Sequence, residues 1–173
     1  MAVNNSATGI DAAAVTRIAG VAVGTLNVWI NRNLIPGVTV GAQGRARFFD
    51  LETVLHIAIM VALVQLGHAA PFASRGAYLA RDGSERHGAK LVIGPPRKLP
   101  GGRLGSSPTI TFVEAHSPQD LDRILDRFVD GRPESFAVVE VDRVAARVRK
   151  AFDDPDPLER IAQRAGIPIE EQG

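Results

Sequence analysis

Over residues 54–66 the chain carries Val54, Leu55, Ile57, Ala58, Ile59, Met60, Val61, Ala62, Leu63, Val64 and Leu66, which occupy nearly every azimuth of a helix. A helix apolar all round has no face to offer water and must be covered all round. The segment 51–66 is shorter than the roughly 20 residues that cross a bilayer, and it contains Glu52, His56 and Gln65. It therefore reads as a buried helix and no membrane partner is expected, with Asp50 as its N-cap and Gly67 as its stop. A chain of 173 residues can bury one moderate core or divide into two small units. Whatever covers the helix must come from its own flanks, from the C-terminal half, or from a second copy.

The upstream flank supplies one layer. Asp11 is placed to cap a helix carrying Val15, Ile18 and Ala19 at i, i+3, i+4 spacing, and Gly20 ends it. A second helix over 23–33 has Leu26, Trp29 and Ile30 on its apolar face, with Asn27, Asn31 and Arg32 on its polar side. Pro36 and Gly37 break the chain. Residues 38–40 and 46–49 then flank Gly41-Ala42-Gln43-Gly44, which reads as a two-stranded hairpin with a flexible tip, a wing.

Downstream, 71–80 adds a short helix, and 81–108 reads as a linker with a candidate strand at 90–93. Its run GPPRKLPGGRLGSSP is too rich in Pro and Gly to hold a regular element for long. Beyond it, 109–114 and 136–141 read as strands, and 118–129 and 142–152 as helices. A short helical run at 158–165 lies in a Pro-bearing tail. The expected class is α+β: a winged helix-turn-helix unit over 1–80, the linker, and a small α/β unit over 109–173 for oligomerisation or partner binding.

Charge is unevenly spread. Residues 1–116 hold eleven Lys/Arg and six Asp/Glu, whereas 117–173 hold nine and thirteen, so the halves carry +5 and −4. The basic bias at the front favours phosphate contact there, and solvation or self-association at the back. In a helix-turn-helix the first helix braces the second, whose N-terminal half enters the major groove. That entry needs small or hydrogen-bonding residues, a requirement that Ala22, Gly24, Thr25, Asn27 and Asn31 meet. Asn pairs bidentately with adenine. Arg17, Arg32, Arg45 and Arg47 are the candidate phosphate contacts.

At these residues the chain resembles a family. The string VTRIAGVAVGTLNVWINRNLIPG, followed by GRARFFDLETVLHIAIMVALVQLG, is similar to the DNA-binding region of MerR-type winged helix-turn-helix proteins, whose relatives include phage excisionases and packaging proteins. The resemblance covers about a third of the chain. It implies that Thr25 and Asn27 open the recognition helix at the groove and that Arg47 contacts phosphate from the wing. Asn27 and Val28 stand where an Arg and a Tyr are common in the family, which shifts phosphate contact towards Arg17 and Arg32. No long C-terminal coiled-coil helix and no metal-sensing cysteine is present.

Zero cysteines exclude disulfides, thiolate zinc sites and cysteine nucleophiles, and fit a reducing cytosol. His56, His68, His87 and His116 fall in different segments, so no metal site is expected. No basic and apolar leader opens the sequence, and a cytoplasmic location follows. Glu114, His116 and Asp120 read as solvated loop residues, and no nucleophile, base and orienter converge, so an enzyme is not expected. The expectation is a sequence-specific protein for double-stranded DNA, needing no cofactor: a bacterial or phage transcriptional regulator that dimerises through the 51–66 helix, the C-terminal unit, or both. The alternatives are a phage-type architectural factor in excision or packaging, and a protein-protein adaptor on the winged scaffold.

Overall fold

The computed structural model describes residues 10–38, 48–81, 83–98, 104–127 and 136–153, with the backbone alone at 97, 98 and 104–107. The order is α1 (Ala12–Ala19), α2 (Val23–Asn31), α3 (Leu51–Gln65), α4 (Ala70–Arg81), β1 (Ala89–Lys98), β2 (Leu104–Glu114), α5 (Pro118–Leu125), β3 (Ala137–Glu140) and α6 (Val141–Phe152). The fold is mixed α+β.

Local chemistry sets the helix ends. Asp11 and Asp50 each accept a hydrogen bond from a backbone N–H three residues on, at 2.7 and 2.8 Å, so both predicted N-caps form. Ile10 and Phe49, the residues just before the two caps, exchange backbone hydrogen bonds of 3.0 and 2.8 Å. That bridge holds the starts of α1 and α3 side by side. The N–H of Val21 reaches back to Thr16 O, that of Leu34 to Trp29 O, and that of His68 to Leu63 O. Each closure passes through one residue of positive φ, respectively Gly20 (73°), Asn33 (53°) and Gly67 (88°).

α3 is enclosed within the chain. Every residue from Val54 to Val61 is buried, as is Leu63. Val15 and Ala19 of α1, Leu26, Trp29 and Ile30 of α2, Ala73, Ala77 and Ala80 of α4, and Val141, Ala145 and Val148 of α6 share its core. The layer wanted for its second side is thus supplied by the C-terminal half, and α3 needs no second subunit to cover it. Alanines along α4 bring that helix close; Gly76 goes further, since a Cβ there would meet Leu63 Cδ1 at 2.7 Å.

The sheet has the order β2-β1-β3, antiparallel throughout. Period-two alternation divides β1 between two layers. Ala89, Leu91 and Ile93 join the main helical core, while Val92 packs with Val113 and Leu125 under Leu121 and Ile124 of α5. The stretch 81–108, read as a linker, therefore holds the central strand of the sheet. Strand β1 also runs on through Gly94-Pro95-Pro96, where the sequence reading placed no lasting regular element. The reason is positional: β3 pairs only with 90–93, so beyond Ile93 no strand among the described residues pairs with that side of β1. A proline's missing N–H costs little at an edge, and register shifts around Pro96 take up the mismatch with β2.

Candidate nucleic-acid interface

α1 and α2 are joined by Gly20-Val21-Ala22 and bend by 106°. Leu26, Trp29 and Ile30 fix the azimuth of α2 by burial in the core. The opposite side is consequently presented outward: Gly24, Asn27, Val28 and Asn31 form one exposed stripe at i, i+3, i+4, i+7, with Thr25 and Arg32 beside it. Ala22 at the N-cap makes no side-chain hydrogen bond to the first turn. No Asp or Glu occurs from Ala12 through Phe49, whereas four arginines do. The outward surface of α2 is therefore uncharged or basic, and begins at the electropositive end of the helix.

The far end of α2 is tied down from two helices. Leu34 O accepts a 2.6 Å hydrogen bond from Ser74 Oγ of α4 and lies 3.3 Å from His56 Nε2 of α3. His56 is 2% exposed, and its Nδ1 has no hydrogen-bond partner among the described residues. Burial pushes the imidazole below its ordinary value; the bond to Leu34 opposes this, and the charge of Arg81 adds to it. The unfolded chain takes up a proton near pH 6.5 that the buried ring resists, so below about that pH the unfolded state binds more protons. The stability gained from a neutral His56 is complete above about pH 6.5 and is lost as pH falls through the lower folded value. Urea midpoints measured from pH 8 to pH 5 are expected to fall, and His56→Gln should flatten that part of the curve; equal slopes in the two proteins would contradict the assignment.

Of the other candidate residues, Arg17 lies apart from the outer stripe. It lines a concavity with Ile18, Ala19 and Gly20 of α1 and its C-cap, Val61, Ala62 and Gln65 of α3, and Val144 and Arg147 of α6. Arg147, more than a hundred residues away in sequence, gave no signal of that proximity. Arg45 and Arg47, with nearly all of the expected wing, lie outside the described residues; within the predicted second wing strand, Phe49 pairs with Ile10. Val23 and Val28 are 52% and 46% exposed on α2, an apolar element in its outer face that the sequence reading did not single out.

One further cluster is brought together from separate segments. His87 and His116 meet at the open end of the β1-β2 hairpin with their Nδ1 atoms 3.1 Å apart. Their centroids are 5.4 Å apart and their planes within 13°. The rings are nearly parallel and within hydrogen-bonding reach of each other through these nitrogens. Gly88 donates its N–H to Asp142 Oδ2 at 2.9 Å beside this pair. Burial raises the Asp142 carboxyl, but the N–H groups of Gly88 and Arg143 and the charges of Lys90 and His87 outweigh it and hold it below its usual range. Among the described residues no three His, Asp or Glu side chains converge as a metal-ligand set, and no single helix is long and apolar enough to cross a membrane.

Comparison with known protein families and with curated proteins gave no match to this chain.

Proposed function

We propose that this chain is a sequence-specific binder of double-stranded DNA, built on a MerR-like winged helix-turn-helix and acting as a dimeric transcriptional regulator. The observation that carries the reading is the outward stripe of α2: small and amide side chains at Gly24, Thr25, Asn27 and Asn31, held at one azimuth by Leu26, Trp29 and Ile30, in a stretch without acids. A groove-entering helix needs that combination, since the base edges must be approached closely and a carboxylate would repel the phosphates. Arg32, at the C-cap of α2, supplies a cation at the stripe's far end.

Selection of bound fragments from a random duplex pool at stated salt tests the reading. An enriched motif repeated at a fixed half-site spacing supports it, and an unenriched pool opposes it. Asn27→Ala is expected to relax preference at one base position by about 1–3 kcal/mol while leaving the salt dependence unchanged. Arg32→Ala should instead weaken binding to all sequences alike and reduce the salt slope by about one unit. Anisotropy titrations over a salt series separate the two patterns.

A second reading, a protein-protein adaptor, is favoured by the exposure of Val23 and Val28 on α2 and of Phe48 just before α3. Failure of the wild-type chain to shift any duplex at low salt would put this reading first.

A further inference from the structure

The C-terminal half carries an excess of acids in sequence, yet α6 collects bases on one face. Val141, Ala145 and Val148, at i, i+4, i+7, are buried and lock the rotation of the helix. The residues left outward are Arg143, Ala146, Arg147 and Lys150. Of these, Arg143 is paired with Glu140 at 2.6 Å but keeps a side chain 79% exposed. The remaining cation, Arg149, is drawn aside to Glu85 at 3.2 Å. Of the neighbouring acids, Asp142 is engaged with the Gly88 backbone, while Asp153 stands at the C-cap beyond the helix.

This basic edge does not stand alone. Arg147 shares with Arg17 the concavity between α1, α3 and α6, a volume of about 340 Å³ with no carboxylate among the described residues that line it. Both α1 and α3 end there, and the carbonyl ends of helices favour cations. The two guanidiniums are thereby kept beside the turn that leads into α2. The stripe from Arg143 to Lys150 spans about 10 Å of helix, over which one DNA strand presents about three phosphates.

We propose that the α6 edge, Arg147 and Lys150 foremost, together with Arg17, is a second contact surface for the phosphodiester backbone of double-stranded DNA, extending the interface of α2 onto the C-terminal half. The inference rests on the DNA-binding reading above. A charged lipid surface fits less well, because the apolar face of α6 is committed to the core and leaves nothing to insert. The edge contributes affinity without sequence preference, since arginine and lysine on phosphates carry no base information.

The test uses the full chain, a labelled mixed-sequence duplex and anisotropy across a sodium chloride series. The R147A/K150A double variant should flatten the plot of log affinity against log salt by about two units and weaken binding at the low-salt end roughly tenfold. R147K/K150R, which keeps both charges, should restore most of each. Melting temperatures should match the wild type, because both side chains are exposed; Arg147→Gln serves as a milder second variant. If the double variant keeps the wild-type slope while Arg32→Ala lowers it, the α6 contact is wrong and the DNA reading stands. If the wild type binds no duplex at the lowest salt, both fall. If phosphatidylserine vesicles lose the double variant while the duplex slope is unchanged, the edge is a lipid contact and the proposal is overturned.

Discussion

Ile59→Ala is expected to lower the free energy of unfolding by about 2–5 kcal/mol, and to do so equally at every protein concentration. Ile59 sits midway along α3 with none of its surface exposed, in a helix covered by α1, α4 and α6 of the same chain. Truncation there leaves a cavity whose walls belong to several helices and cannot all close on it. A domain of this size holds only about 5–15 kcal/mol in total, so the variant should unfold at markedly lower urea. The concentration series matters as much as the shift. A seam between subunits makes stability depend on protomer concentration, whereas an intramolecular core does not. A midpoint rising with concentration in the wild type, and an Ile59→Ala defect that dilution enlarges, would move α3 from core to interface.

That experiment bears on the feature most easily read from the sequence. Apolar residues at nearly every azimuth of 54–66 announce that α3 must be covered, but they carry no address for the cover. The address is written weakly and elsewhere: in alanines 73, 77 and 80 of α4, too small to look like a core face, and in Val141, Ala145 and Val148 of α6, recognisable only as half of an amphipathic pattern. Helix ends were more legible, because caps are local. Asp11, Asp50, Gly20 and Gly67 act within three or four residues of themselves, and each does in the structure what its type predicts. Strand β1 beyond Ile93 was not legible. Pro95 and Pro96 are breakers by composition, and only the short reach of β3 makes them tolerable.

The candidate interface divides along the same line. The outward residues of α2 follow from helical period once Leu26, Trp29 and Ile30 are taken as its inner face, so Gly24, Asn27 and Asn31 could be placed together from sequence. Arg17 could be assigned to a helix but not to a neighbour, since its concavity is completed by Gln65 and Arg147. The charge difference between halves hides the α6 edge: a net count averages a helix face with the loops around it, and Arg143, Arg147 and Lys150 disappear in the sum.

Trp29→Ala should be the most damaging single truncation in the helix pair, costing about 3–5 kcal/mol. The indole is 5% exposed, and the Trp29 carbonyl accepts the N–H of Leu34 that closes the end of α2. Loss of the ring removes the anchor beneath the outward stripe, while the backbone closure at Asn33 and the hydrogen bond from Ser74 to Leu34 remain. The two ends of α2 should then respond differently. Amide exchange is expected to quicken most over 23–30, where packing held the helix, and less at 33–34, where hydrogen bonds still do. Duplex affinity should fall with it, because an azimuth no longer fixed by Leu26, Trp29 and Ile30 cannot present Asn27 to one base. Trp29 is the only tryptophan, so wild-type emission reports this same packing and should shift to longer wavelength on unfolding together with the loss of helix signal. Exchange quickened uniformly across α1, α2 and α3 in the variant would show that the indole supports the whole core evenly, and the coupling between its burial and the presentation of the stripe would have to be given up.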